Sequence, residues 1–515
     1  MWMKRISLLL IALAVAYGTV AMATFPKGFT IDDAFITFRY AENLAQHGEL
    51  NWNVGENPVE GYTGVALPVL IAGFIKVGVS PLTASRIIGV VSFWVGFLML
   101  FLIGRRMRIK DILTASMLLL YVTTPILMTH AYSGMETMLF LAVMLSSLFA
   151  LIARKDRALL ALLLLTSLVR PEGVAFSILA LLSVGYDRYR TGRQAFKSFM
   201  KDALILYVLP ALVYFVWRFS YYGRLLPNTF YAKSDVGFQP HVLVDIARFL
   251  RSYFAVPLLG ATLLFVAETD RLWETLLCYY RDRKTMFYII AGALFSLVVI
   301  AMLSRTHLIM NFSHRFYTML FPIAWVVLLF IFQIGYASVA PTAEEKPFRF
   351  KFVLFAFAAL IAYQSLFQVV KVRDEFTFAR REVLMQRDAH SLIGKTLNEI
   401  MDPKETIISY MDAGAVSYFS KLRVIDFGAL NDEQLARYSM TPGERIDYFF
   451  AQNAGAIVFT SEKQDTLENG EEVQRIIHDP RFSAYALYKR YAPEDTRIRY
   501  YEFVYLRKDI AAKML

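Results

Sequence analysis

The stretch that decides the fold of this chain is TIDDAFITFRY, residues 30–40, which comes shortly after the first apolar segment. Asp32 and Asp33 are adjacent carboxylates at the mouth of a segment long enough to cross a bilayer. Carboxylates beside a membrane helix are costly unless they have water or a partner, and they mark functional sites by default. The two aspartates are therefore the first candidates for a catalytic site.

Composition places the chain among membrane proteins. Its 515 residues are 57% hydrophobic and 19% charged, and its mean hydropathy is +0.45, whereas soluble domains average roughly 45–50% apolar and 25% charged residues. The net charge of +11 fits basic residues that flank membrane spans in the cytoplasm. Nucleic acid is not an expected partner, because no basic stripe with interleaved aromatic residues stands apart from the spans. The single Cys278 excludes an internal disulfide and a cysteine-rich metal site.

The orientation of the spans follows from the basic loops. Residues 6–23 form an apolar run of roughly 18 residues, which we predict to be a retained first helix; a signal peptide ending at 21–23 is the alternative. The apolar piece 65–79 is short and contains Pro68. If it lies along the membrane, every later basic loop falls in the cytoplasm, as the positive-inside rule requires. These loops are 105–110, 154–157, 187–201, 271–284 and 346–351.

The sequence thus predicts a polytopic α-helical membrane protein with about eleven transmembrane helices and a cytoplasmic N-terminus. The first outer loop, residues 24–81, contains the two aspartates and the interfacial piece. The predicted spans are 6–23, 82–104, 112–130, 138–153, 157–169, 173–186, 203–219, 252–268, 285–303, 319–337 and 351–370.

The chain changes character at Lys371, after which no span-length apolar run remains. A helical stretch is predicted at 374–400, strands at 406–410, 422–426 and 456–459, and helices between the strands at 413–420 and 445–453. Strands that alternate with helices predict a small α/β domain. We therefore divide the chain into a transmembrane domain, 1–370, and a C-terminal domain, 371–515, which eleven spans place outside the membrane.

The predicted topology gathers polar residues on the outer face. Cations are unexpected there, because the positive-inside bias depletes them, and they suggest that an anion such as a phosphate is held. Structural alternatives remain: Arg170 can pair with Glu172, an aspartate can cap the helix predicted at 34–47, and the cations can be interfacial anchors. The candidate substrate-binding residues are Arg39, Glu60, Tyr62, Glu136, Arg170, Glu172, Asn228, Lys233, Arg305, His314 and Arg315.

Seven motifs spread over nearly the whole chain resemble those of GT-C glycosyltransferases. The resemblance is strongest to the subgroup of the mycobacterial terminal arabinofuranosyltransferase, and more distant to lipid A aminoarabinose transferases and protein O-mannosyltransferases. After Thr63 the chain departs from the pattern, since GVAL at 64–67 replaces a Pro-Leu-Trp-like run. The motifs are DDAFITFRYAENL (32–44), VEGYT (59–63), SGMET (133–137), RPEG (170–173), YGRLLPNTFYAK (222–233), HRFY (314–317) and DAGAVSYFS (412–420).

The resemblance implies an inverting transfer of a sugar from a polyprenyl-phosphate donor to an envelope glycan, lipid or protein, on the outer face of the inner membrane. It implies an acid of the first outer loop as general base; Asp32 matches that acid and Asp33 would be its partner. Glu60 resembles the second acid of that loop. The sugar is left open between arabinofuranose, another pentose and a hexose.

Physical chemistry adds what such a site needs. Polyprenyl phosphate is a good leaving group, so a base near the acceptor and positive charge on the phosphate are sufficient. Arg305, Arg315 and Lys233 are the candidate phosphate ligands. No cofactor is required, although a divalent metal held by Asp33 and a histidine would serve the same role. The alternative function is a transporter or flippase of lipid-linked sugars, which would favour internal repeats and charges at the bilayer midplane.

Overall fold

The computed structural model describes residues 2–233, 237–266, 283–308, 310–340, 347–438, 440–468 and 470–513. Most of the basic loop at 271–284, and residue 346 of the last one, lie outside these ranges. The helices of the first half are α1 (Trp2–Thr24), α2 (Asp32–His47), α3 (Ala66–Lys76), α4 (Pro81–Arg106), α5 (Asp111–Thr123), α6 (Pro125–Tyr132), α7 (Thr137–Ile152), α8 (Asp156–Val169), α9 (Glu172–Thr191), α10 (Arg193–Ala203), α11 (Leu209–Tyr222) and α12 (Asn228–Lys233).

The second half contains the remaining helices and all strands of the described ranges. Its helices are α13 (Pro240–Val266), α14 (Arg283–Leu303), α15 (Phe321–Val339), α16 (Pro347–Met385), α17 (Ser391–Ile400), α18 (Ala415–Ser420), α19 (Glu433–Arg437), α20 (Pro442–Ala451), α21 (Gly470–His478) and α22 (Lys508–Ala511). Its strands are β1 (Thr406–Tyr410), β2 (Arg423–Asp426), β3 (Ala456–Ser461), β4 (Tyr485–Tyr491) and β5 (Tyr501–Arg507).

The helical part has the dimensions of a membrane domain. Within the described ranges, six helices are long and apolar enough to cross a membrane, and α5 and α6 form one more candidate span, bent by 56°. The bend has a local cause: Thr124 is extended, as residues before a proline are, and Pro125 starts α6. Leu9 and Val213 remain 68% and 69% exposed, as expected for side chains that face lipid. The predicted polytopic helical architecture is confirmed; the number of spans stays a prediction.

The apolar piece 65–79 of the first outer loop forms the short helix α3. It has 11 residues, about 16 Å of helix at 1.5 Å per residue, and is too short for a hydrocarbon core of roughly 30 Å. One face, which includes Leu67 and Ile71, is buried against α2 and α4. The helix is thus held beside the two aspartates.

The C-terminal domain has a mixed five-stranded sheet in the order β2-β1-β3-β5-β4. The three predicted strands, β1 to β3, are parallel, and the antiparallel pair β5 and β4 completes the sheet. β1 and β3 are buried along their whole length, as expected of central parallel strands covered on both faces. β4 and β5 were not predicted; four of the seven residues of β4 are exposed, so it lacks the apolar run of a buried strand.

One long helix joins the two parts of the chain. α16 continues through a π-helical turn, Gln386–His390, into α17. The boundary predicted at 370/371 falls inside this continuous helix of 53 residues, Phe348–Ile400. At 1.5 Å per residue the helix is about 80 Å long, more than twice what a span requires, so its second half carries the C-terminal domain beyond the apolar layer.

Candidate active site

Asp32 and Asp33 begin α2, but their side chains have different surroundings. The Asp32 carboxylate accepts hydrogen bonds from the backbone N–H groups of Gly414 and Ala415, each at 2.9 Å, and from the Gln386 amide at 3.1 Å. It therefore caps α18, in the C-terminal domain. The predicted cap on α2 itself is not formed by an aspartate: its N-cap is Ile31, with no side-chain hydrogen bond.

Asp32 is buried, with a side chain that is 7% exposed. The imidazole of His390 contacts it, with Nδ1 3.1 Å from Asp32 Oδ1. Burial alone would raise the pKa of Asp32, but the charge and hydrogen bond of His390 and the Ala415 N–H outweigh it and hold that pKa below its ordinary range. Asp32 is thus an ionised, fully engaged carboxylate that ties α2 to the C-terminal domain.

Asp33 is the more accessible acid, with a side chain that is 20% exposed. Arg315 Nη1 lies 3.8 Å from its Oδ2, and Arg315 Nη2 lies 3.3 Å from Glu136 Oε1. The guanidinium is 4% exposed and sits 5.1 Å from the ring centre of Phe316. Arg315 therefore bridges an outer acid, Asp33, and an inner acid, Glu136.

The RPEG motif supplies the far end of this network. Arg170 is paired with Glu136, and it donates Nε and Nη2 to the two oxygens of Glu172 at 3.2 and 3.1 Å. The predicted pairing of Arg170 with Glu172 is confirmed. Asp33, Arg315, Glu136, Arg170 and Glu172 thus form one chain of alternating charges, a buried arrangement in which each charge has an opposite neighbour.

Arg39 has a structural environment rather than a ligand-facing one. It is 9% exposed and donates to the backbone oxygens of Trp52, Ser417 and Leu422, at 2.8, 2.5 and 2.8 Å. Its guanidinium also stacks 4.7 Å from the Trp52 ring. Arg39 therefore holds the first outer loop against the C-terminal domain.

Three further candidates are also engaged by protein partners, and one of them, Asn228, contacts the C-terminal domain. Glu60 pairs in bidentate fashion with Arg218 of α11, with both side chains buried. The Tyr62 hydroxyl lies 3.1 Å from that of Tyr222. The Asn228 amide donates to three backbone oxygens between Ala429 and Asp432, at 3.0 to 3.1 Å. These groups have protein partners, so their structural role is clear.

The remaining candidates lie apart from the network. Arg305 is exposed just beyond the end of α14, and the His314 ring packs 5.3 Å from that of Phe249. Lys233 ends α12, and its side chain lies outside the described part of the structure. Their roles toward a substrate stay predictions, as does the involvement of a metal.

Sequence reasoning missed Arg86, Arg218 and His390. Arg86 and Arg218 fall inside the predicted spans 82–104 and 203–219, and an ionisable residue within a span is a functional signal by itself. Arg86 donates Nη2 to the Phe29 carbonyl at 3.2 Å, while its buried Nε has no hydrogen-bond partner among the described residues. His390 could not be predicted from its local sequence, because its carboxylate partners, Asp32 and Glu502, come from distant segments.

A polar cleft of about 480 Å³ opens between the first outer loop and the C-terminal domain. Amide, carboxylate, guanidinium and phenol groups line it, and such groups form hydrogen bonds with sugar hydroxyls. Its lining includes Asn53, Glu56, Arg423, Asp432 and Tyr448.

The comparisons with known proteins identify the architecture. The fold resembles that of ArnT from Cupriavidus metallidurans in the apo state, with 14% identity, a TM-score of 0.55 and coverage of 96% of this chain and 97% of ArnT. ArnT bound to undecaprenyl phosphate gives 13% identity, a TM-score of 0.51 and coverage of 88% and 92%. The fold is the GT-C fold.

The GT-C architecture covers both domains, because the similarity to ArnT extends over nearly the whole length of each chain. A family described as a domain of unknown function (DUF8728) matches residues 378–504, that is, the end of α16 and most of the C-terminal domain. No curated protein matches the sequence.

Proposed function

We propose that this protein is a membrane glycosyltransferase that moves a sugar from a polyprenyl-phosphate donor to an acceptor of the cell envelope. The GT-C fold supports this proposal, as does the undecaprenyl phosphate bound to ArnT in its crystal structure. The reaction takes place on the outer face of the inner membrane, with the N-terminus in the cytoplasm and the C-terminal domain outside, because this orientation keeps the basic loops inside.

The observation that carries the proposal is the position of Asp33, an accessible carboxylate 3.8 Å from the buried Arg315 at the start of the first outer loop. We assign the general base to Asp33 rather than to Asp32. A base must reach the hydroxyl proton of its substrate, and the Asp32 oxygens are occupied by Gly414, Ala415, Gln386 and His390.

The chemistry is a single displacement. The Asp33 carboxylate takes the proton of the acceptor hydroxyl while the acceptor oxygen forms a bond to the anomeric carbon. The bond from that carbon to the phosphate oxygen breaks on the opposite face, and polyprenyl phosphate leaves with the electron pair. The anomeric centre is therefore inverted through an oxocarbenium-like transition state.

Positive charge on the departing phosphate completes the site. We take Arg315, which pairs with Asp33, and Arg86, whose guanidinium adjoins the segment that leads into Asp33, as its ligands. Arg305 and Lys233 remain candidates. The polar cleft between the domains suits a carbohydrate acceptor, and arabinofuranose is the first sugar to test.

A reconstituted assay tests the proposal. The purified protein in liposomes is incubated with undecaprenyl phosphate carrying arabinofuranose, mannose or galactose, together with a cell-envelope extract. We expect one donor to yield free undecaprenyl phosphate and a glycosylated product. Donor that crosses the bilayer without cleavage would instead establish a flippase. If no donor is cleaved and none crosses the bilayer, the proposal is overturned for these sugars.

Two variants, Asp33→Asn and Asp32→Asn, test which aspartate is the base. Asp33→Asn is expected to lower kcat by about 10²–10⁴-fold, the usual contribution of general-base catalysis, with thermal stability unchanged. Asp32→Asn is expected to lower stability. If Asp33→Asn turned over at the rate of the unmodified protein, Asp33 would not be the base.

A further inference from the structure

A second cluster of ionisable groups lies behind Asp32, where four segments meet. His390 comes from the π-helical turn after α16, Asp412 from the loop between β1 and α18, and Glu502 from β5. One ligand atom of each residue lies within 4.8 Å of those of the other two. Asp32 of α2 contacts the same imidazole.

The cluster has an excess of unsatisfied acceptors. Glu502 is 0% exposed; its Oε1 lies 3.1 Å from His390 Nε2, and its Oε2 has no hydrogen-bond partner in the described structure. Asp412 Oδ2 is buried and lacks a partner as well. Buried polar atoms are satisfied in most native proteins, and a bound ion is one reason for exceptions.

The net charge of the cluster also favours a bound cation. Asp32, Asp412 and Glu502 surround one imidazole, and no lysine or arginine of the described ranges forms an ion pair with any of them. A doubly protonated His390 would compensate one negative charge and leave Asp412 without a partner. A bound cation would satisfy all three groups.

The imidazole is already oriented for metal binding. Nδ1 lies 3.1 Å from Asp32 Oδ1, while Nε2 points toward Glu502, 3.1 Å from Oε1. Metal-binding histidines usually donate their second ring N–H to a carboxylate, which fixes the tautomer and makes the ligand nitrogen more basic. Asp32 takes the place of that carboxylate.

We propose that His390 Nε2, Asp412 and Glu502 bind one divalent cation. An imidazole with two carboxylates suits Zn²⁺ or Mn²⁺. The ion joins the long helix, the loop before α18 and the sheet, and through the His390–Asp32 contact it fixes the start of α2. Its role is to position Asp33 rather than to take part in the chemistry, and metal binding does not depend on the proposed transferase activity.

Metal content tests the proposal directly. The purified full-length protein is stripped with a chelator, incubated with ZnCl₂ or MnCl₂ alone, desalted and analysed by mass spectrometry for metals. We expect one ion per chain in the unmodified protein, and loss of binding in Glu502→Gln. Glu471→Gln is the matched control, because Glu471 is an 89% exposed acid of the same domain.

A second readout covers the case in which a ligand variant does not fold. Addition of Co²⁺ to the stripped, unmodified protein is expected to give the visible absorption bands of a nitrogen- and oxygen-ligated site. Asp32→Asn is expected to weaken metal affinity by about 10–100-fold, as removal of such a carboxylate does elsewhere. Failure of the unmodified protein to retain Zn²⁺ or Mn²⁺ and to give a Co²⁺ spectrum would overturn the proposal and leave His390 as an imidazolium between carboxylates.

Discussion

The carboxylate of Asp32 caps the helix that begins at Ala415. The Ala415 N–H donates to Asp32 Oδ1 at 2.9 Å, across 383 positions of sequence. A helix N-terminus carries unsatisfied N–H groups and a partial positive charge, so an ionised carboxylate there is favourable. The contact couples the first outer loop to the C-terminal domain. Asp33 is then the aspartate that pairs with Arg315, in the chain of alternating charges.

This cap requires a glycine at position 414. A Cβ on Gly414 would overlap the Asp32 carboxylate, so we expect Gly414→Ala to lower the free energy of unfolding by about 1–3 kcal/mol, as overpacking does. Thermal unfolding of the detergent-purified protein measures the change. Gly443→Ala is the control, because a Cβ there meets no atom within 4 Å. Equal stability of the two variants would show that Asp32 does not approach α18 so closely.

The buried pair Glu60–Arg218 is expected to be costly to break. Arg218→Met leaves the Glu60 carboxylate buried without its partner, and such changes cost about 3–5 kcal/mol. Adding Glu60→Gln should recover part of the loss, because the uncompensated charge is removed. For comparison, Arg475→Met breaks the exposed pair with Glu471 and should change stability by less than about 0.5 kcal/mol. Thermal unfolding of the four proteins gives the comparison.

Arg86 is expected to contribute to donor binding. Arg86→Gln removes one cation next to the segment that leads into Asp33, and a hydrogen bond to a charged group is worth about 1.5–3 kcal/mol. The KM for the polyprenyl-phosphate sugar should therefore rise about 10–100-fold. Arg106→Gln serves as the control, because Arg106 is exposed at the other end of the same helix. A KM unchanged in Arg86→Gln would remove Arg86 from the site.

The stabilising contribution of Glu136 should be lost at acid pH. Burial raises its pKa, but the charges of Arg315 and Arg170 outweigh burial and hold the pKa below the ordinary value of 4.5. Because the unfolded chain takes up the proton first as the pH falls, this stabilisation is complete above about pH 4.5 and is lost as the pH falls through the folded-state pKa.

The measurement is the melting temperature as a function of pH. Glu136→Gln is expected to melt lower at neutral pH and to lose less stability on acidification than the unmodified protein. Glu471→Gln should follow the unmodified protein at every pH, because its carboxylate is exposed. Parallel curves for Glu136→Gln and the unmodified protein would contradict the assignment of the charge network.

The sequence by itself determined the helical membrane architecture and the C-terminal α/β domain. The backbone of a span-length apolar run can be satisfied in lipid only as a helix. The predicted spans fall on helical segments of the described ranges, except that 112–130 is divided between α5 and α6. The parallel strands were readable because their apolar runs are short and bounded by turns. The pairing of Arg170 with Glu172 could also be predicted, since the two residues are only two positions apart.

Only the tertiary structure decided what the polar residues do. Asp32 and Asp33 are neighbours with the same chemistry, yet a helical turn directs one to Gly414 and Ala415 and the other to Arg315. Arg39 and Asn228 belong to two of the motifs, but their side chains donate hydrogen bonds to backbone oxygens of the C-terminal domain. Such roles depend on partners that are hundreds of positions away in the sequence, and the local sequence pattern does not show which distant residues come into contact.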